Sequence, residues 1–147
     1  MWRGASCLIC AIASASENEH GNLVAESSFS FIHLKKNQTH AGHSVVIFKR
    51  HVPELHELTE PELHGFARDI AGVGRVLTDV FEPVKIDSMI FGNLCPHLHC
   101  HVFPQYPHDD PHANPDINKG SKLLSDAEQA ARVDVLREHL RAVIDCR

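Results

Sequence analysis

Between Pro96 and Pro104 the chain reads His97-Leu98-His99-Cys100-His101-Val102-Phe103, imidazoles alternating with apolar side chains. A period of two is that of a β-strand, whose successive side chains point to opposite faces. A helix would spread the same three imidazoles around its circumference. As a strand, the run puts His97, His99 and His101 in a row on one face and sends Leu98, Cys100 and Val102 into the core. The flanking prolines suit strand ends, because proline cannot donate to an internal ladder. A row of imidazoles does nothing for packing. Neutral imidazole is a nucleophile and a metal ligand, and its ordinary pKa of about 6.5 lets neighbouring rings hold different protonation states. The plain alternative is a histidine-rich surface strand.

The rest of the chain frames that strand. At 147 residues it fits one domain spanning 1–147, with its core over about 7–112 and a loop plus C-terminal helix over 113–147. A hydrophobic content of 43% suits a soluble globular protein, and a formal net charge of −5 offers no general attraction for a nucleic acid polymer. A small anionic partner would need local positive charge, which Lys35, Lys36, Lys49 and Arg50 can supply. The five cysteines are odd in number and scattered, which points to a reducing, cytoplasmic setting and not to a disulfide framework. Ala5–Ala13 imitates a short leader, but it is interrupted by Ser6, and its removal would discard both Cys7 and Cys10. No run approaches the ~18 apolar residues of a membrane span.

Along the chain, Ala11–Gly21 reads as loop, and Asn22–Glu26 with Phe29–Leu34 as an antiparallel hairpin. Val45–Phe48 reads as a buried strand. Thr59-Glu60-Pro61-Glu62 starts a helix, with Leu63, Phe66, Ile70, Val73, Leu77 and Val80 as one apolar stripe and Pro83 beyond its end. Gly65, Gly72 and Gly74 cost it up to ~1 kcal/mol each relative to alanine, so packing must hold it. Lys85–Phe91 is a strand, Gly92-Asn93 a turn and Leu98–Phe103 the histidine strand. Tyr106–Ser121 is a polar loop. Ser125-Asp126-Ala127-Glu128 caps a last helix running to about Val143, with Ala131, Val135, Leu136, Leu140 and Val143 as its apolar face. Strands and helices do not alternate, so the class is α+β with an antiparallel sheet of about five strands, one long helix packed on it and a C-terminal helix.

His97-Leu98-His99-Cys100-His101-Val102-Phe103 resembles the His-x-His-x-His-apolar-apolar signature of the histidine-triad (HIT) superfamily of nucleotidyl hydrolases and transferases. The wider Gly92–His99 stretch resembles its bacterial diadenosine-polyphosphate-hydrolase-like branch. The resemblance implies a HIT-like fold over roughly residues 7–112, with His99 as a nucleophile toward the α-phosphorus of a nucleotide conjugate. A nucleotidyl-histidine intermediate would form and water would release it. His101 would bond the phosphate or leaving group, and His43, in Ala41-Gly42-His43, would sit beside the triad. Asn93, Gln105, Asn37 and Val45 are the implied substrate-binding residues. Two positions depart from the branch. Gln105 stands where arginine is usual, and Lys35 stands at a position of an acidic or amide ribose ligand, leaving Asn37 as a substitute.

Cys7-x-x-Cys10 is a metal half-site, or alternatively two small apolar core residues. By resemblance, His51 and His97 complete a Cys₂His₂ set for structural Zn²⁺. His20, His33, His40, His56, His64 and His139 are expected to face solvent, and Cys95, Cys100 and Cys146 to be unpaired thiols. The resemblance further implies a small-molecule nucleotide substrate and a homodimer. The alternatives are a nucleotidyltransferase of the same superfamily, a non-catalytic nucleotide-binding regulatory protein, and a metal-handling protein.

Overall fold

The computed structural model describes residues 7–144; Cys146 lies outside them. In chain order the elements are α1 (Leu8–Ile12), β1 (Gly21–Glu26), β2 (Ser30–Lys35), β3 (Ser44–Phe48), a 3₁₀ turn (Leu55–Glu57), α2 (Glu60–Phe81), β4 (Lys85–Ile90), β5 (His99–Gln105) and α3 (Asp126–Arg141). The five strands form one sheet in the order β1-β2-β3-β5-β4, every neighbouring pair antiparallel. The expected α+β class and strand count are therefore present.

Strand alternation sorts side chains onto two faces. Ile32, Leu34, Val46, Phe48, Cys100 and Val102 point to one side, where Phe66, Val73, Val76 and Leu77 of α2 and Val133, Leu136 and Leu140 of α3 cover them. The opposite face carries Phe31, His33, Val45, Ile47, His99 and His101, and among the described residues α1, the residues after it, and the loops at Leu94–Cys95 and Asn114–Asn118 lie over or beside part of it. This second face holds the candidate site. The β3 run is buried at all five residues because it is central and covered on both sides.

The helix starts match their sequence signals. Thr59 donates from its backbone N to the Glu62 carboxylate at 2.8 Å, and Ser125 N does the same to Glu128 at 2.9 Å, so each first turn has its reciprocal cap. Glu82, at φ 48°, ends α2 in the left-handed conformation just before Pro83. Of the three glycines in α2, Gly65 and Gly72 are placed where a side chain would collide, the first with the Phe29 ring and the second with Ile144. Gly74 meets nothing closer than 3.7 Å and has no such reason.

Several expectations need correction. Ala11–Gly21 is not all loop, since Ala11 and Ile12 finish α1. On α2, Val76 is buried and Leu63 is 39% exposed. On α3 the buried series is Val133, Leu136, Leu140, at spacings of three and four, whereas Val135 points outward at 41% exposure. His33 is buried and not solvent-facing, because the turn after α1 closes over β2 and its Nε2–H donates to the Ala13 carbonyl at 2.6 Å. His40 is half-buried, edge-on to the Phe103 ring. Among the described residues no helix is long and apolar enough to cross a membrane.

Candidate active site

Pairing of β3 with β5 sets Val45 opposite His101 and Ile47 opposite His99, and pairing of β2 with β3 sets His33 opposite Val45. The open face thus carries a patch of imidazoles set among apolar side chains. His99 stands on the ridge between two hollows. One, of ≈ 300 Å³, is largely apolar, walled by Ile9, Ile12, Val45 and Ile47 with His33 and Lys35 at its β2 side. The other, of ≈ 470 Å³, is lined by Met89, Asn93, Asn114, Asp116 and Asn118. Leu94, Cys95 and His99 belong to both.

The tautomer of His99 follows from its partner. Its Nδ1 lies 2.6 Å from the carbonyl oxygen of His97, which can only accept, so Nδ1 carries the proton. Nε2 therefore keeps its lone pair. Burial lowers the pKa of His99, with Lys35 adding to the effect and the bond to His97 opposing it, so the neutral ring predominates at pH 7. A neutral imidazole with one committed nitrogen and one free lone pair is a ready nucleophile.

His101 and His43 form a pair, His43 Nε2 to His101 Nδ1 at 2.9 Å. The His43 ring also stacks on Phe103 with centroids 4.0 Å apart. Burial, then the nearby His101 and Lys35, hold His43 down to about 2, and burial, then His99 and Lys35, hold His101 down to about 3. Both rings are neutral in the folded protein at any moderate pH. Unfolding returns them to about 6.5, so below that pH the unfolded chain takes up protons that the folded chain refuses. This stability is complete above pH 6.5 and is lost as pH falls, by up to about 1.4 kcal/mol per pH unit for each ring. The midpoint of urea unfolding should accordingly drop between pH 7 and 5, with a shallower slope in His43→Asn. Equal slopes in the two proteins would count against the buried neutral pair.

The loop before β3 is held by a residue the sequence did not single out. Gln38 is 1% exposed. Its Oε1 accepts from Gly42 N at 2.9 Å and from Arg132 Nη1 of α3 at 2.7 Å, while its Nε2 donates to the Lys35 carbonyl at 2.7 Å. Gly42 takes φ 86°, a conformation that favours glycine, and a side chain there would press on the Phe81 ring. These contacts aim His43 at His101. Gln38 sits in a polar run with no motif, so only the fold reveals it. Phe103 did carry a signal, since it shares the parity of His99 and His101.

Asn93 and Val45 line the two hollows beside His99, one on each side. Asn37 does not join them: its Nδ2 donates to the Gly120 carbonyl at 3.1 Å and its Oδ1 accepts from Thr39. Gln105 lies at the far end of β5, opposite Lys85, in a separate hollow with Tyr106 and Asp109.

Beside this patch, Cys7, Cys10, His51 and His97 bring four ligand atoms within 4.8 Å of one another. His97 Nδ1 stands 3.5 Å from Cys7 Sγ, 3.3 Å from Cys10 Sγ and 3.3 Å from His51 Nδ1. Bonds of about 2.0 Å to nitrogen and 2.3 Å to sulfur give tetrahedral edges of roughly 3.3–3.8 Å, so the spacing fits a metal ion. The Nε2–H of His97 donates to the Phe48 carbonyl at 2.7 Å, which leaves Nδ1 unprotonated and aimed at the cluster. Burial and then the neighbouring Cys7 raise the Cys10 pKa, a cost that a bound cation would reverse. This Cys₂His₂ cluster can bind a metal.

The model of the HIT domain family matches residues 16–108, which hold all of β1–β5, the three alternating histidines and His43. The chain belongs to the HIT family. The HIT match stops before α3, so Arg132 and its contact to Gln38 lie outside it. The protein named Hit of Bacillus subtilis is 24% identical over 106 residues, 69% of this chain and 72% of that protein. Among solved structures, a histidine triad protein of Bradyrhizobium japonicum superposes with TM-score 0.73 at 20% identity, covering 83% of this chain and 92% of the other. A Zn-bound histidine triad family protein of Mycobacterium smegmatis gives TM-score 0.68 at 21% identity, covering 93% and 94%. At these identities the structural likeness speaks for the HIT fold.

Proposed function

We propose that this protein hydrolyses nucleoside 5′-phosphate conjugates, either dinucleoside polyphosphates or AMP-linked adducts, through a covalent intermediate on His99. One observation carries the reading: His99 Nδ1–H is held on the His97 carbonyl at 2.6 Å, which leaves Nε2 as a free nucleophile at the ridge between two hollows. Nε2 attacks the α-phosphorus, a P–N bond forms and the bond to the leaving group breaks. His101, oriented by His43, stands 5.2 Å ring to ring from His99 and hydrogen-bonds the phosphate oxygens or the departing group. Water then attacks phosphorus, the P–N bond breaks and the mononucleotide leaves. The apolar hollow takes the nucleoside, and the hollow with Asn93 takes the leaving group.

Several further features belong to the same proposal. The Cys₂His₂ cluster holds Zn²⁺, supported by its tetrahedral spacing and by the Zn-bound relative. Bound there, the ion would fix His97 and thereby the carbonyl that sets the His99 tautomer. The diadenosine-polyphosphate-hydrolase-like branch remains our assignment within the family. Free thiols at Cys95 and Cys100 agree with a reducing, cytoplasmic setting. The outer edge of β4, with exposed Ile90, Phe91 and Leu94 nearby, offers a surface for a homodimer.

The test is a panel of AMP and GMP conjugates with rapid acid quenching and mass spectrometry. Turnover with a nucleotidyl group on His99 is expected. Adducts to added phosphate or sugar phosphate in place of free AMP would assign a transferase. Turnover that proceeds with His99 never modified would sink the covalent mechanism.

A further inference from the structure

Lys35 stands on the open face of β2, two residues after the buried His33, and lines the apolar hollow with Ile9, Val45, Ile47 and His99. It is half-buried, and among the described residues its ammonium has no ion-pair partner. Lys36, Lys49 and Lys85 are each bound to a carboxylate, Glu17, Glu26 and Asp87 respectively. No side chain lining the hollow is acidic. Burial alone pulls the Lys35 pKa below the ordinary lysine range, with no neighbouring anion to offset it. A cation partly withdrawn from water without a counter-ion is costly, and such a group in a cleft marks the place where a ligand anion arrives.

The scissile phosphorus must meet His99 Nε2, on β5 at the ridge between the hollows. Lys35 belongs to β2, two strands away in the order β2-β3-β5, a backbone separation of about 10 Å, and its side chain enters the nucleoside side of the hollow that His99 borders. It also lies on the side whose walls, Ile9, Val45 and Ile47, suit a nucleobase. A charge met there is carried by the nucleoside half of the substrate. Resting on the placement of substrate proposed above, we infer that Lys35 binds a second phosphate, on the ribose, so that the preferred substrates are conjugates of nucleoside 2′,5′- or 3′,5′-bisphosphates.

The experiment compares binding of AMP, adenosine 2′,5′-bisphosphate and adenosine 3′,5′-bisphosphate by calorimetry, with the wild-type protein and with Lys35→Gln and Lys35→Glu. One bisphosphate should bind at least about tenfold tighter than AMP, the gain of a charge-assisted contact in a partly dry site. Lys35→Gln should bring it within about threefold of AMP while leaving AMP itself little changed, and Lys35→Glu should reverse the order. The inference is overturned if neither bisphosphate outbinds AMP in the wild type, a comparison that needs no variant. It is equally overturned if the preference survives Lys35→Gln, or if that change weakens all three ligands alike, which would assign Lys35 to the 5′-phosphate. A bisphosphate preference without turnover of any conjugate would overturn the hydrolase reading and leave the role of Lys35 standing. Absence of binding by all three nucleotides overturns both.

Discussion

His99→Ala should lower kcat for AMP-releasing substrates by roughly 10³-fold or more, about 4 kcal/mol of lost barrier reduction, with nucleotide affinity kept within a few-fold. The expectation rests on the division of labour among the imidazoles. His97 commits Nδ1 to the cysteine cluster and Nε2 to the Phe48 carbonyl, so it has no free nitrogen. His101 shares its Nδ1 with His43. Of these three, only His99 faces both hollows, and among the described residues its Nε2 lone pair has no partner. Its removal deletes the nucleophile and leaves the walls of the nucleoside hollow in place. Loss of His101 is expected to cost less, on the order of 10²-fold, because it hydrogen-bonds the phosphate without forming the covalent bond. The check is steady-state kinetics alongside calorimetry with AMP. A wild-type protein that binds nucleotide but turns it over no faster than His99→Ala would favour the non-catalytic regulatory reading.

The strand that bears these residues was legible in the sequence because its signal is local. Alternation defines a strand and the face on which His99 and His101 sit, with Cys100 and Val102 buried on the opposite face, but the observed β5 begins at His99, so His97 lies in the bend before it and not in the row, and it runs through Pro104 to Gln105. The capping boxes at Thr59 and Ser125 were legible for the same reason. What was not legible depends on which segments meet. His33 reads as one more scattered histidine until the turn at Ala13 folds over it. Val133 and Val135 are equivalent by composition, and the series Val133, Leu136, Leu140 is selected by packing of α3 against α2 and β1. Asn37 and Lys35 are two residues apart, yet only Lys35 enters the apolar hollow, because Asn37 is engaged by Gly120 from the far side of the chain. Gln38 needed α3 to bring Arg132 across 94 residues.

Removal of metal should cost the protein roughly 4 kcal/mol, read as a fall of about 10 °C in Tm, and should also slow catalysis. The first figure follows from linkage: a ligand present at about a thousand times its Kd stabilises the folded state by about 4 kcal/mol, and each kcal/mol is worth about 2–4 °C in a chain of this size. The fold should survive, since the core of Ile32, Phe48, Phe66, Leu77 and Val102 lies on the other face of the sheet. Catalysis is affected through a short connection. His97 holds the cluster with its ring, and its backbone carbonyl takes the Nδ1 proton of His99. If the ring is released, the carbonyl that fixes the nucleophile's tautomer is free to turn, and activity falls about 10- to 100-fold, the range seen when support around a metal ligand is lost. Purified protein should contain about one zinc per chain. Cys7→Ser and Cys10→Ser should each lose the metal and melt at the temperature of chelated wild type, with kcat falling and KM holding. No stoichiometric zinc, together with an unchanged Tm in Cys7→Ser, would show that the four side chains meet without a metal between them and that His97 is held by the Phe48 carbonyl alone.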